Sequence, residues 1–366
     1  MCAMSITRRE FVAATVGAAV SVRRVWAQGK RVRTIAGTGA AGSQQDAADA
    51  ATAAVNNPYG LIIGPDGALY FCEVDTGRTR RLDLAARRLT TIAGNGQKAY
   101  AGDGGAALSA SFSAPHEIRF DTDRNLFVVE RDAHVVRRID AKTNTVSTFA
   151  GTNVAGFSGD GGPANRAQFR QPHSIAFDAS GNLLVCDIQN ARIRAVNLKT
   201  AVISTYAGTG DKGPTPDEGP LEGAALNGPR SIDTDPDGNV YLALREGNAV
   251  FKIDRQTRRL SRIAGTGETG YSGDGGPARA AKLNGPKGIA YSPDGSVYIA
   301  DTESHVIRRI DLKSGAINTV MGTGARGDGP DGDPLRCALA RPHGLFLSRG
   351  VLYVSDSENH RIRVLE

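Results

Sequence analysis

Residues 172–196, with the sequence PHSIAFDASGNLLVCDIQNARIRAV, contain the pattern from which the fold of this chain can be inferred. Three short apolar runs, at 173–177, 183–186 and 193–196, are separated by turn-forming residues such as Gly181 and Asn190. A fourth apolar run follows at 202–207. Runs of this length, bounded by turn residues, are typical of β-strands. The stretch therefore predicts four consecutive antiparallel strands.

This pattern recurs along the rest of the chain. A proline precedes the first strand of each repeat, with spacings of 57 residues and a last spacing of 56: Pro58, Pro115, Pro172, Pro229, Pro286 and Pro342. Four short strands per unit are typical of a propeller blade. The sequence therefore predicts an all-β, six-bladed β-propeller. The last repeat stops after its third strand, and residues 31–39, RVRTIAGTG, have the form of the missing fourth strand. We expect this N-terminal strand to complete blade 6 and close the ring.

The N-terminal segment 1–27 is typical of a twin-arginine export signal. Arg8 and Arg9 precede a weakly apolar stretch, and a small-residue cleavage site ends at Ala27. We therefore expect a periplasmic or secreted protein in which residues 28–366 form a single propeller domain and a monomer. No run of 18 apolar residues is present in that part, which excludes a transmembrane helix.

The net charge of residues 28–366 limits the kinds of partner that this protein is expected to bind. Removal of the signal changes 44 basic and 38 acidic residues to 40 and 37, because the segment carries four arginines and Glu10. This balance is unlike the strongly basic surface of a nucleic-acid-binding protein. We therefore expect no nucleic-acid partner, and look for a small-molecule or peptide ligand or a protein partner.

When the six repeats are aligned, equivalent positions form columns, and in one column the residue type varies among Tyr, His, Arg and Lys. It is the residue directly after the repeated proline, which begins the innermost strand of each blade: Tyr59, His116, His173, Arg230, Lys287 and His343. These six equivalent positions are expected to form a ring around one end of the channel, and we call them the mouth ring. The long links between blades lie at the same end. Long loops on a rigid scaffold are a usual place for ligand binding. The variation predicts a shared ligand site there.

The residue types in the mouth ring suggest particular chemistry. Three imidazoles suit a divalent metal, with zinc expected first and copper or iron not excluded. Arg230 and Lys287 lie on the opposite arc and suit an anionic group such as a carboxylate. Tyr59, or Glu117 beside His116, would move protons. A phosphate or sulfate bound without metal is an open alternative.

Several other positions have a structural interpretation. His134, His305 and His360 share a turn position, and Arg119 can pair with Glu117 or with Asp233 inside the channel. The aspartates of three Gly-Asp-Gly-Gly loops at 102–105, 159–162 and 273–276 are expected to cap short helical turns. The acid that ends strand 2 and the arginine seven residues later are both missing in blade 4, where Leu244 and Phe251 stand instead. This joint loss predicts that the acid and the arginine form a structural ion pair.

The phrases PHSIAFDASGNLLVCDIQNARIRAV and SENHRIRV, together with the Gly-Asp-Gly-Gly loops, resemble the NHL-repeat family over residues 30–366. This family is a propeller scaffold with several unrelated functions. Pro115-His116, Pro172-His173 and Pro342-His343 also resemble phrases of peptidyl-α-hydroxyglycine α-amidating lyase. That second resemblance implies a zinc held by three histidines, with Tyr59 and Arg230 as catalytic candidates by residue type.

Two hypotheses follow. The first is an exported, metal-dependent lyase or hydrolase that acts on a small anionic or peptide substrate at the channel mouth. The second is a propeller without catalysis that docks a protein, peptide or glycan partner on the same face. Convergence of His116, His173 and His343 would favour the first hypothesis.

Overall fold

The computed structural model describes residues 29–42 and 46–366. The predicted export signal, residues 1–27, lies outside this range. Six antiparallel sheets are arranged around a central channel, which confirms the six-bladed all-β propeller. No helix in the described part of the chain is long and apolar enough to cross a lipid bilayer.

The strands follow the blades in sequence order. Strand β1 (Val32–Ala36) belongs to blade 6. Blade 1 contains β2 (Pro58–Ile63), β3 (Leu69–Glu73), β4 (Arg78–Leu82) and β5 (Leu89–Ala93). Blade 2 contains β6 (Pro115–Phe120), β7 (Leu126–Glu130), β8 (Val135–Ile139) and β9 (Val146–Ala150). Blade 3 contains β10 (Pro172–Phe177), β11 (Asn182–Asp187), β12 (Arg192–Asn197) and β13 (Ile203–Ala207).

Blade 4 has a fifth strand, because β14 (Glu218–Pro220) pairs with the outer edge of its sheet. Its other strands are β15 (Pro229–Thr234), β16 (Val240–Leu244), β17 (Ala249–Asp254) and β18 (Arg259–Ala264). Blade 5 contains β19 (Pro286–Ser292), β20 (Ser296–Asp301), β21 (Val306–Asp311) and β22 (Ile317–Met321). Blade 6 contains β23 (Leu345–Ser348), β24 (Val351–Asp356) and β25 (Arg361–Leu365) besides β1.

Short 3-10 helices lie between some of the strands. In the described residues they are Ala50–Thr52, Ala107–Ser109, Ala164–Arg166, Ile188–Asn190, Ala278–Ala280, Thr302–Ser304 and Ser357–Asn359.

The N-terminal strand closes the ring, as predicted. Strand β1 pairs antiparallel with β25, with Val32 opposite Leu365. Beyond the strand, the Arg31 amide donates to the Glu366 carbonyl at 2.7 Å. Closure pairs a strand edge that would otherwise be open to other chains.

Apolar side chains between neighbouring blades form the core. Leu183, Leu184, Val185 and Cys186 of β11 are all fully buried, because one blade covers each face of the sheet. Both faces therefore bury apolar area, and each such side chain stabilises the fold by about 1.5–3 kcal/mol.

The predicted acid–arginine pairs are present within blades, and both partners are buried. The distances are 3.0 Å for Glu73–Arg80, 3.1 Å for Glu130–Arg137, 3.7 Å for Asp187–Arg194, 3.8 Å for Asp301–Arg308 and 2.8 Å for Asp356–Arg363.

The expected role of the Gly-Asp-Gly-Gly aspartates was wrong. The helices at 107–109, 164–166 and 278–280 begin after Ala106, Pro163 and Pro277, without a side-chain cap. The aspartates instead pair with the strand-3 arginines, at 2.6 Å for Asp103–Arg137, 2.6 Å for Asp160–Arg194 and 2.7 Å for Asp274–Arg308. The arginine side chain is long enough for its guanidinium to bind both the strand-2 acid and the loop aspartate. Each of these arginines therefore connects the loop to the blade.

The second histidine column has the predicted structural role. His134, His305 and His360 lie in left-handed turns, and each Nδ1 accepts a hydrogen bond from a backbone amide before the next blade. The donors are Gln171, Arg341 and Asn57, each at 3.1 Å. In blade 4, Asn248 Oδ1 accepts from the Gly285 amide at 2.9 Å in the same way. This column joins consecutive blades.

Candidate ligand site at the channel mouth

The mouth ring forms as the repeats predict. Its members begin or precede the innermost strands β2, β6, β10, β15, β19 and β23, and these strands contact one another around the channel. Tyr59 is half-buried. The other five side chains are buried, with exposed fractions of 3% for His116, 9% for His173, 6% for Arg230, 6% for Lys287 and 4% for His343.

Four rings from blades 6, 1, 2 and 3 form a continuous aromatic arc. Tyr59 stacks on His343 with ring centroids 3.9 Å apart, and meets His116 edge-on at 4.8 Å. His116 meets His173 edge-on at 4.9 Å. Arg230 and Lys287, from blades 4 and 5, complete the ring on the opposite arc. The division into an imidazole arc and a cationic arc matches the expectation from the repeats.

Each imidazole of the arc is anchored in the same way. The Nδ1 atoms of His116, His173 and His343 lie 2.8, 2.7 and 2.9 Å from the backbone carbonyl two residues earlier. A carbonyl can accept but not donate, so Nδ1 carries the proton in each ring. A neutral ring then leaves Nε2 as an unprotonated acceptor. The arc therefore offers basic nitrogens.

Burial keeps these rings neutral. It lowers the pKa of His116 and His173 well below the usual range, and the positive charge of Arg230 lowers both further. The pKa of His343 is lowered by burial, by Lys287 and by Arg230. All three imidazoles are thus uncharged at neutral pH, although their pKa values will rise if an anion binds beside them.

Arg230 is the unusual charge of the mouth ring. No hydrogen bond or ion pair joins its guanidinium to any residue within 29–42 and 46–366. Burial lowers its pKa to about 10, so that it keeps its charge at neutral pH. Buried charges in proteins are ordinarily paired, because an unpaired one loses its hydration. Among the described residues no carboxylate contacts the guanidinium of Arg230, and Glu117 acts on it only at longer range, so Arg230 offers a positive charge to an anionic ligand.

Lys287 differs from Arg230, because it has partners. Its Nζ lies 2.6 Å from Glu303 Oε1, and Arg341 binds both oxygens of Glu303 at 2.7 and 2.9 Å. Arg341 also binds Glu358 at 2.6 Å. Burial lowers the pKa of Lys287 to about 8, although the hydrogen bond that Lys287 donates to Glu303 opposes this shift.

Glu117 lies one position deeper along β6 and has a structural partner. Arg119 Nη1 donates to Glu117 Oε1 at 2.6 Å, and both side chains are buried. Burial raises the pKa of Glu117, and Arg119 opposes that rise. Asp233 instead accepts from the backbone amides of Tyr291 and Thr234, at 2.8 and 2.9 Å. The pair inside the channel is thus Arg119 with Glu117, and Glu117 as a proton carrier stays a prediction.

The predicted metal site was compared with this geometry. The anchored Nδ1 and available Nε2 of each histidine suit a first-row metal. However, the Tyr59 ring stands between His343 and His116. Within the described residues, no group of three or more His, Cys, Asp or Glu is placed to hold a metal ion. A site formed by His116, His173 and His343, with a bound zinc, copper or iron, stays a prediction.

Sequence reasoning missed Glu303 and Arg341 as residues of this site. Glu303 lies two positions beyond the acid that ends strand 2, in a column that is acidic in five of six blades: Asp75, Asp132, Gln189, Glu246, Glu303 and Glu358. That column was the available signal. The contact of Glu303 with Arg341 was not visible in the sequence, because Arg341 comes from the next blade.

Comparisons with known proteins agree with the fold. A family model described as the teneurin NHL domain matches residues 263–340, and the NHL repeat matches residues 339–365. The Arabidopsis thaliana protein SUPPRESSOR OF QUENCHING 1, chloroplastic, is 25% identical over 284 residues, which covers 74% of this chain and 26% of that protein. Human NHL repeat-containing protein 2 is 24% identical over 294 residues, with coverage of 72% and 40%.

Solved structures share the propeller architecture at low identity. An auxiliary nutrient binding protein from Bacteroides thetaiotaomicron has a TM-score of 0.67 at 15% identity, covering 92% of this chain and 76% of that chain. A catalytically inactive histidine variant of Staphylococcus aureus virginiamycin B lyase, with quinupristin, has a TM-score of 0.53 at 13% identity, covering 88% and 98%. These likenesses concern the fold alone.

The class is thus a six-bladed β-propeller with a polar and aromatic channel mouth. The matches to NHL family models over residues 263–365 and to NHL-repeat proteins support an NHL-repeat propeller. The chain spans between about a quarter and two fifths of the length of the two curated relatives given above.

Proposed function

We propose that the channel mouth binds a small organic anion, including the carboxylate of a short peptide, and performs lyase chemistry on it. The observation that carries this proposal is Arg230, a buried cation without a partner, on the arc opposite three neutral imidazoles. A carboxylate at Arg230 would receive a charge-assisted hydrogen bond in a site largely closed to water. Binding would also remove the main cost of burying Arg230.

The imidazole arc supplies a base for such a ligand. His173 and Arg230 come from adjacent blades, and His173 Nε2 is free to accept a proton. An anion at Arg230 would raise the pKa of His173, because it offsets the charge that helps to lower that pKa. The carboxylate would thus strengthen the base that lies beside it.

The reaction that fits these groups is a β-elimination. His173 takes the proton from the carbon next to the carboxylate, and the electron pair forms a carbon–carbon double bond as the bond to a β-oxygen breaks. Tyr59 gives its hydroxyl proton to the leaving oxygen and later regains a proton, through water, from His173. Arg230 stabilises the charge that develops on the carboxylate. The fold is also found in a lyase, of which a histidine variant is inactive.

The test is a screen of β-substituted carboxylates with the purified protein. Ultraviolet absorbance follows the conjugated alkenoate, and calorimetry follows binding. Arg230→Met should abolish binding, and His173→Gln should abolish turnover while leaving binding within about threefold. Arg258→Gln is the matched control, because Arg258 pairs with Glu222 at 2.8 Å, is exposed, and is not among the charges that shift the pKa of Arg230. Binding without turnover in the wild type would favour a propeller that binds its ligand without catalysis. The structurally similar auxiliary nutrient binding protein is consistent with that alternative.

Metal dependence is a separate proposal. The elimination uses the side chains of His173, Tyr59 and Arg230 and needs no metal. Elemental analysis of protein purified without chelators or a histidine tag measures it directly. About one zinc, copper or iron per chain, lost in His173→Ala, would support the metal-dependent form of the enzyme; the same content in both proteins would contradict it.

A further inference from the structure

The two cations on the opposite arc of the mouth ring are not equivalent. Arg230 has no anionic partner among the described residues, whereas Lys287 is held by Glu303 at 2.6 Å. Arg341 binds the same carboxylate with two nitrogens, at 2.7 and 2.9 Å. Glu303 thus occupies the position that an anion would take beside Lys287.

The network around Glu303 contains two cations and two anions near the mouth ring, and a third, largely exposed cation at its outer edge. Lys287 and Arg341 are its cations, and Glu303 and Glu358 are its anions, with Arg341 and Glu358 2.6 Å apart. Arg326 binds the outer oxygen of Glu358 and is largely exposed. Burial would raise the pKa of Glu303, but hydrogen bonds from Arg341 and Lys287 lower it to about 2. Glu303 therefore keeps its negative charge over the usual range of pH.

The remaining charge of the mouth ring is that of Arg230. The three imidazoles are neutral, and Tyr59 keeps its proton because burial raises its pKa. One anionic group would balance Arg230. A second anionic group on the same small molecule would find Lys287 already bound to the partly exposed carboxylate of Glu303, and so would have to compete with that carboxylate for the cation.

The imidazoles add a second requirement. Their Nε2 atoms accept hydrogen bonds but do not donate them. A ligand with hydroxyl or amide N–H groups beside its carboxylate would satisfy these acceptors, whereas a second carboxylate would not. Charge and hydrogen bonding thus favour the same kind of molecule.

We propose that the channel mouth selects small monocarboxylates that carry hydroxyl or N–H donors, and discriminates against dicarboxylates because Glu303 already serves as the anion for Lys287. This inference rests on the ligand site proposed above and adds its substrate class.

Lactate and malate are suitable probes, because both are 2-hydroxy acids and malate has one more carboxylate. The hydroxyl of malate is also β to its second carboxylate, so the absorbance of fumarate is followed in the same samples to separate turnover from binding. Calorimetry with the wild-type protein should give at least about tenfold tighter binding of lactate. Glu303→Gln should improve malate binding about tenfold relative to lactate, since it removes the like charge and frees Lys287. Glu358→Gln is the matched control, because Glu358 binds the same Arg341 but does not contact Lys287, and it should leave the ratio within about threefold.

The outcomes separate the two proposals. Equal or tighter binding of malate by the wild type would overturn the selectivity, and this measurement needs no variant to fold. An equal change for both probes in Glu303→Gln would also overturn it. Absence of binding of either probe to the wild type, with no difference in Arg230→Met, would overturn the ligand site itself.

Discussion

His134 and His173 hold the same residue, Gln171, from two sides. The Gln171 amide donates to His134 Nδ1 at 3.1 Å, and the Gln171 carbonyl accepts from His173 Nδ1 at 2.7 Å. His305, Arg341 and His343 repeat this arrangement at 3.1 and 2.9 Å. The turn column therefore positions the mouth ring of the following blade.

His134→Leu should loosen this arrangement. It removes the acceptor of the Gln171 amide, and we expect a loss of about 1–3 kcal/mol in the free energy of unfolding. His134→Asn should lose less, because Asn248 makes the equivalent bond in blade 4. Denaturant unfolding measures both changes.

The effect of His134 on the position of His173 can be measured separately in the same two variants. Nitrogen-15 spectra of the histidine side chains report which nitrogen of His173 carries the proton. We expect the leucine variant to lose the single Nδ1–H form and the asparagine variant to keep it. An unchanged His173 signal in the leucine variant would mean that His134 stabilises the fold without positioning His173.

Arg230→Met should stabilise the protein while it abolishes anion binding. The buried guanidinium has no hydrogen-bonded or ion-paired partner among the described residues, and burial lowers its pKa to about 10. Methionine fills similar space without a charge, so we expect a gain of about 1–3 kcal/mol in the free energy of unfolding. Thermal unfolding without ligand measures this gain. A loss of stability would show that Arg230 has a structural role.

Blade 4 suggests how an ion pair can be replaced in blade 1. Arg80→Phe should cost about 3–5 kcal/mol, because it leaves the buried carboxylate of Glu73 without its arginine. The double variant Glu73→Leu with Arg80→Phe copies Leu244 and Phe251, and should be clearly more stable than the single variant. A double-mutant cycle in denaturant measures the coupling. Additive losses would contradict the replacement.

The buried imidazoles predict a dependence of stability on pH. The folded-state pKa of His343 lies well below 6.5, through burial and then through Lys287 and Arg230. The unfolded chain then binds a proton that the folded chain does not, so the unfolding free energy falls as pH decreases below about 6.5. Each such imidazole contributes up to about 1.4 kcal/mol per pH unit.

His343→Gln should remove the contribution of one imidazole to the pH dependence of the free energy of unfolding. The difference in unfolding free energy between the wild type and the variant should shrink as pH falls from about 7 to about 5, while contributions of other groups cancel. Urea unfolding at several pH values measures it. A difference that is constant with pH would contradict the lowered pKa.

The sequence was informative about the fold because the repeat imposes it. The interval of 57 residues sets the number of blades, and the residues after each proline must meet at the channel because innermost strands are equivalent. The same reasoning placed β1 beside β25. Pairing of the strand-2 acid with the strand-3 arginine followed from their joint absence in blade 4.

Contacts that depend on side-chain reach could not be predicted. Arg137 is long enough to bind both Glu130 and Asp103, and this second bond replaces the expected helix cap. Similarly, the alignment of the repeats identifies Lys287 as a residue of the mouth ring. It does not show that Glu303 binds Lys287, or that Arg341 from the next blade binds Glu303. Whether two ring residues converge on one point depends on rotamers, and the stacking of Tyr59 on His343 is an example.

The pairing of β1 with β25 has a consequence for synthesis. Among the described strands, the one that completes blade 6 is synthesised first, and its partner, Arg361–Leu365, emerges some 330 residues later. Blades 1 to 5 can therefore assemble during translation as an open arc, and β1 must wait unpaired until the final strand is released. Premature termination would leave the inner faces of the first and last blades uncovered, so truncated chains should be recognised by chaperones and proteases as incomplete.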